Sequence, residues 1–254
     1  MQRLDGKIIL VAGAGGIGGG LARRYASEGA RVVLGDISKE SADEVVGLIK
    51  RDSGEATAVY LDGADEQSTN DVVAACVSNY GGLDGVHANF ALMADSNPEQ
   101  GILELPLEIY DETQRINARG FYLCTRAALP ALLARGGGSI IYTSSAAAYS
   151  GGPAFVAYAM SKSAGHALMR HVAARFGPVG VRANTIAPAM TVHPKLEEVL
   201  PPEFIEGARA AAHIKSRVGR PDDIAAMATL LMSDEGSYIT GQVINIDGGT
   251  VIRA

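Results

Sequence analysis

Within the run Ser144–Lys162, SSAAAYSGGPAFVAYAMSK, a tyrosine and a lysine stand four residues apart, at Tyr158 and Lys162. On a helix that spacing sets both side chains on one face, one turn apart. A phenol that titrates near ~10 is a poor base at neutral pH, and an ammonium beside it favours the phenolate. Tyr158 is therefore a candidate general acid/base, with Lys162 as its electrostatic partner. Thirteen residues before Tyr158, Ser145 falls at the end of a short apolar run, where its hydroxyl can hydrogen-bond a substrate oxygen. Taken alone, the tyrosine-lysine pair is more often a packed ring beside a solvated cation. Its company decides the matter.

These groups need elements to hold them. Lys7–Ala12, KIILVA, predicts a strand; GAGGIGGG follows, and then LARRYASEGA with helical apolar spacing. In that context Gly13, Gly15 and Gly18 fit G-x-G-x-x-G. The first permits a tight turn, the second lets backbone approach a pyrophosphate at the helix N-terminus, and the third allows close packing of the helix. The next predicted strand, Arg31–Gly35, ends at Asp36, eighteen residues past Gly18. A carboxylate there accepts from an adenosine ribose and repels a 2′-phosphate, which favours NAD over NADP; the bland alternative is a solvated turn aspartate.

The alternation continues with a helix over 39–51, a strand over 56–61 ending at Asp62, a helix over 66–80 and a strand over 85–88. A long helix over 107–135 carries Asn117, a polar amide in an apolar stripe that needs partners if buried. Strands over 139–143, 181–186 and 242–246 and helices over 157–177 and 222–232 complete the pattern. Regular βα repetition predicts a parallel sheet with helices on both faces and ligands outside the carboxyl ends of its strands. Asp36, Asp62, Asn89 and Ser145 all fall at predicted strand ends. The segment of about 188–215 breaks the rhythm and reads as a substrate-covering loop or as packing against a neighbouring subunit.

Composition narrows the classes. With 254 residues and 47% hydrophobic content the chain suits one large core, so a single domain over 1–254 is expected. A net charge of -6, with no basic run, argues against nucleic acid. The apolar stretches are shorter than a membrane span and the N-terminus lacks a signal-type apolar region, so a soluble, cytoplasmic protein without a membrane partner is expected. Cys76 and Cys124 are isolated and read as buried small hydrophobes. His87, His166, His171, His193 and His213 show no metal-ligand spacing, so no metal is expected and each reads as structural or surface.

Taken together, these marks resemble a short-chain dehydrogenase/reductase over essentially the whole chain: the glycine turn, Asp36, Asp62, Asn117, Ser145, Tyr158-x-x-x-Lys162, Asn184 with Pro188, and TGQVINIDGG at 240–249. The resemblance implies a Rossmann-type, doubly wound, seven-stranded parallel sheet. It also implies that Ser145 orients and polarises the carbonyl or hydroxyl, that Tyr158 exchanges its proton, that Lys162 lowers the Tyr158 pKa and holds the nicotinamide ribose, and that Asn117 anchors a relay water. Cofactor contacts are implied at Gly13, Gly15, Gly16, Ile17 and Gly18, at Asp36 with Ile37, Asp62 with Gly63 and Asn89, and at Pro188 and Thr191, with Tyr158 and Lys162 shared. Three departures stand out. The family's TGxxxGxG is AGAGGIG here, one residue shorter; NNAG is Ala88-Asn89-Phe90-Ala91; and after Pro188 come Ala189 and, five residues on, His193 in place of a common threonine, with Thr191 as a substitute.

The expected activity is NAD-dependent interconversion of a secondary alcohol and a ketone, by a homotetramer or homodimer, on an apolar and cyclic small molecule. The expected pocket residues are Ala147 and Met190, with Met93, Tyr149, Pro153 and Phe204 nearby. NADP-dependent carbonyl reduction and a non-catalytic dinucleotide-binding sensor are the alternatives.

Overall fold

The computed structural model describes residues 2–95, 101–152 and 154–252. Among them, seven strands form one sheet: β1 Ile8–Ala12, β2 Arg31–Asp36, β3 Glu55–Tyr60, β4 Gly85–Ala88, β5 Gly138–Thr143, β6 Val181–Pro188 and β7 Val243–Ile246. All neighbours pair in parallel, in the order β3-β2-β1-β4-β5-β6-β7. Parallel neighbours require crossovers, and the helices supply them. These are α1 Gly16–Ser27, α2 Lys39–Arg51, α3 Glu66–Tyr80, α4 Leu107–Thr113, α5 Gly120–Ala134, α6 Val156–Phe176, α7 Pro194–Glu197, α8 Pro202–Ala211 and α9 Pro221–Met232.

Alternation along the strands divides the core. Ile9 and Val11 of β1 join a cluster with α1, α2 and α9, whereas Ile8, Leu10 and Ala12 face the opposite way, toward α3, α5 and α6. A strand buried on both faces reads as a continuous apolar run, as KIILVA does. The strand order reverses between β1 and β4, opening a crevice at their carboxyl ends. Local signals set where helices begin. Ser38 accepts from Ser41 N at the start of α2, and Asp65 accepts from Ser68 N at the start of α3.

The uniform helix expected over 107–135 is interrupted. Between α4 and α5 the chain winds through a wider π-type turn, Gln114–Arg119. Asn117 lies in that turn with no exposed surface. Its Oδ1 accepts from Leu92 N at 2.6 Å, and its Nδ2 donates to Leu92 O at 2.8 Å and Ser161 Oγ at 2.9 Å. The extra residue in the turn aims the amide inward at partners that a regular helix would miss.

Beyond β6, the segment that the sequence left irregular holds α7 and α8, and no helix among the described residues is long and apolar enough to cross a membrane. Cys76 and Cys124 are buried, and burial pushes each thiol up to about 12.

The first crossover is the tightest. A Cβ on Gly18 would collide with the Gly13 carbonyl oxygen, so α1 docks against the glycine turn only because position 18 has no side chain. A Cβ on Gly47, exposed within α2, would meet nothing within 4 Å. Gly18→Ala is therefore expected to destabilise by ~3 kcal/mol or more, and Gly47→Ala to stabilise by ~0.5 to 1 kcal/mol. Urea unfolding of both variants checks the contrast, and equal effects would refute it.

Candidate active site

A cavity of about 960 Å³ opens at the strand-order reversal. Asp36 and Ile37 lie on its wall at the end of β2, Gly13, Gly15, Gly16 and Ile17 at the start of α1, Asp62 and Gly63 beyond β3, and Asn89 beyond β4. Ser145, Ala147, Tyr158 and Lys162 line it from the β5–α6 side, and Pro188, Met190 and Thr191 from the end of β6 and just beyond it. Residues scattered over the whole sequence thus meet in one cleft because parallel strands deliver all their carboxyl ends to one edge.

Lys162 is fully buried. Its Nζ donates to Thr143 O at 2.9 Å and to Phe90 O at 3.4 Å, and lies 4.9 Å from the Phe121 ring centroid and 5.5 Å from that of Tyr158. Burial penalises the ammonium and pulls Lys162 down to about 7. Tyr158 moves the other way. Burial raises it, a hydrogen bond with Ser145 opposes this, and the charge of Asp95 raises it further. In the free protein the net shift of the phenol is upward, with burial its largest cause. Ser145 is extended, with its Oγ accepting from Ala147 N at 3.1 Å.

Asn117 does not line the cavity. Its amide is committed to Leu92 and Ser161, and Ser161 Oγ in turn donates to Tyr158 O at 2.7 Å. The side chain acts as a clamp that fixes the cavity wall at Leu92 to the helix carrying Tyr158. Gly18 also lies off the wall, packed against the Gly13 carbonyl. Tyr149 turns away to stack on His166, with ring centroids 5.1 Å apart, and Phe204 is exposed rather than lining the pocket. Pro153 lies outside the described residues.

Several wall residues escaped the sequence reading. Phe90 replaces the alanine of the family motif, and its ring fills a slot that two glycines leave open: a Cβ on Gly120 would lie 2.5 Å from Phe90 Cε2, and one on Gly63 would lie 2.9 Å from Cε1. The pair of small residues far away in sequence was the available signal. His193, read as structural or surface, lies on the cavity wall with its imidazole against Gly16, where any side chain would meet the ring. Glu112 and Arg115 line the wall as an ion pair at 2.6 Å. The other histidines stay structural where their bonds are seen: buried His87 links Tyr25 OH and Thr143 Oγ1, His166 meets Ser144 Oγ at 2.6 Å, and His213 meets Gly249 O at 2.7 Å.

The wall suits a dinucleotide. Helix α1 has neither a side-chain cap nor an acidic residue in its first turn, and its leading residues Gly16 and Ile17 face the cavity, which leaves amide donors for a pyrophosphate. Asp36 accepts from Ala14 N at 2.6 Å and Ser38 N at 2.8 Å, so its carboxylate is held in place with lone pairs to spare for ribose hydroxyls. Among the described residues no group of three His, Cys, Asp or Glu side chains converges on a metal position.

Comparison with known proteins matches this geometry. A family model described as enoyl-(acyl carrier protein) reductase fits residues 11–251. A probable short-chain type dehydrogenase/reductase of Bradyrhizobium diazoefficiens is 38% identical over 98% of this chain and 89% of its own. The 2,5-dichloro-2,5-cyclohexadiene-1,4-diol dehydrogenase LinX of Sphingobium indicum is 35% identical over 98% of this chain and 97% of its own. A solved 7α-hydroxysteroid dehydrogenase, complexed with NADH and 7-oxo glycochenodeoxycholic acid, superposes with a TM-score of 0.89 at 30% identity, covering 99% of this chain and 97% of that one.

The buried ammonium has a measurable consequence. Unfolded Lys162 keeps its proton up to about 10.5, whereas the folded residue loses it above about 7. Between those values the unfolded state binds more protons, so stability rises with pH. Wild type is expected to gain on Lys162→Met by roughly 2 to 3 kcal/mol between about pH 7 and pH 9 in urea unfolding. A difference that stays flat over that range would refute the burial argument.

Proposed function

Because the chain belongs to the short-chain dehydrogenase/reductase family, it is an oxidoreductase, and we propose that it interconverts a secondary alcohol and a ketone on an apolar, cyclic small molecule, with NAD. The observation that carries this reading is the convergence of Ser145, Tyr158 and Lys162 on one cavity that also receives an uncapped helix N-terminus. A nicotinamide bound there supplies the hydride acceptor or donor.

The chain's own groups manage the oxygen and its proton. Ser145 Oγ, oriented by the amide of Ala147, holds the substrate oxygen. Tyr158 Oη, as the phenolate, takes the alcohol's proton in oxidation, and as the phenol it gives that proton to the ketone oxygen in reduction. A phenol kept protonated by burial is ready as the donor, and the Lys162 ammonium eases its ionisation when the proton leaves. The clamp through Asn117 and Ser161 keeps these atoms in register.

Substrate class follows from the rest of the wall. Leu92, Met93, Ala147, Phe155 and Met190 are apolar, and the Glu112–Arg115 pair neutralises itself. The named substrates of two relatives, a cyclohexadiene diol and a bile-acid derivative, are cyclic and support the same class. For the cofactor, Asp36 at the end of β2 places a negative charge where a 2′-phosphate would sit, and the cationic side chains on the wall are Arg115, already paired, and Lys162. Exposed Leu107, Tyr122 and Leu133 on α4 and α5 support assembly of identical copies.

Tyr158→Phe is expected to lower kcat by ~10²- to 10⁴-fold while NADH binding stays within a few-fold; full activity in this variant would overturn the mechanism. Asp36→Ala is expected to move the NAD-to-NADP ratio of kcat/KM by ~10-fold or more toward NADP. Following reduced nicotinamide absorbance with both cofactors across a panel of cyclic alcohols and ketones measures both effects. Preference of the wild type for NADP would overturn the cofactor assignment.

A further inference from the structure

Helix α6 carries both Tyr158 and Lys162, yet it begins without a cap of its own. Its N-cap position is Phe155, in the left-handed region at φ 68° and with no side chain able to accept a bond, and its first turn holds no acidic residue. The amides of that turn are satisfied from 62 and 63 residues away: Asp95 Oδ2 accepts from Ala157 N at 2.7 Å and from Tyr158 N at 3.2 Å. The Asp95 main-chain oxygen also accepts from Phe155 N at 3.1 Å. Asp95 has no exposed surface, and its second carboxylate oxygen, Oδ1, is buried without a hydrogen-bond partner among the described residues. A serine or an amide would cap the turn as well, without burying a charge. The carboxylate calls for a further reason.

Deepening the function proposed above, and resting on it, we propose that Asp95 is a positioning residue of the catalytic site: its carboxylate fixes the first turn of α6, and with it the Tyr158 hydroxyl, and supplies the negative charge that opposes ionisation of that hydroxyl. The groups facing Tyr158 are few. Lys162 approaches from its own helix, Ser145 from the turn after β5, Asp95 from the segment after β4, and the Phe155 ring from the helix entrance at 6.4 Å between centroids. Around the rest of the cavity, Glu112 and Arg115 are paired with each other, Asp36 lies at the end of β2 and Asp62 beyond β3, and His193 lies against Gly16. Asp95 is thus the acid bonded to the tyrosine's own amide. Its charge disfavours the phenolate, as burial does, so that the phenol keeps its proton in the resting protein and yields it only when a reacting oxygen takes it.

The test separates the cap from the charge. Asp95→Asn and Asp95→Ser retain an acceptor for the α6 amides and remove the charge, whereas Asp95→Ala removes both. Each is titrated by ultraviolet difference absorbance of the Tyr158 phenol in cofactor-free protein, with Tyr158→Phe in the same background as the blank. This reading needs no substrate, so absence of turnover in the wild type would count against the proposed function and leave the titration standing. Asn and Ser variants are expected to melt near the wild type and to ionise Tyr158 at lower pH, with proton affinity reduced by ~3-fold or more. The rising limb of the alcohol-oxidation pH profile should shift the same way. The Ala variant should melt lower and lose kcat more than KM. A phenol titration in Asp95→Asn and Asp95→Ser that superposes on the wild type would overturn the proposal, as would failure of both uncharged variants to fold.

Discussion

One buried ammonium ties the site together. Lys162 reaches from α6 to the carbonyl closing β5 and to the carbonyl of Phe90 just beyond β4, with the Phe121 ring of α5 beneath it. A charge taken out of water is tolerated only where carbonyl dipoles and a ring face replace its hydration. Those acceptors exist together only if the sheet brings the ends of β4 and β5 side by side and α6 crosses over them. The arrangement around Lys162 and the sheet order are therefore one requirement. The cost of that requirement falls on Lys162 itself, which folding pushes toward its neutral form.

Much of the architecture was legible in the chain. α2, α3 and β4 have the predicted limits, because each is bounded by an obvious stop or cap, such as Ser38, Asp65 or Gly81. The other strands shifted by one or two residues, where pairing with a neighbour extends or trims an apolar run. The glycine turn, Asp36, Asp62, Asn89, Ser145 and the Tyr158–Lys162 pair converge because each is local to a strand end or a helix turn, and local spacing is what a sequence displays most directly.

What the sequence hid depends on distant contacts. Phe90 looked like a lost motif until Gly63 and Gly120 proved to leave room for its ring. His193 looked incidental until the segment beyond β6 folded it onto Gly16. Asn117 was visible as a candidate, but its side-chain partners were not, since Leu92 and Ser161 meet it only through tertiary folding. The electrostatics of Tyr158 were likewise beyond spacing: proximity to a lysine suggests a lowered pKa, while burial, a property of the whole fold, acts upward.

The wide turn at 114–119 carries a constraint of a different kind. Each helical residue advances the winding by about 100°, so a turn holding one residue more than usual offsets the faces of the segments on either side by that angle. Removing a single residue there would restore regular winding and swing α4 around relative to α5, taking the Glu112 end of the cavity wall with it. Over this stretch it is chain length, more than the identity of most side chains, that drift cannot alter: point changes on the outer face are open to it, while insertions and deletions are closed.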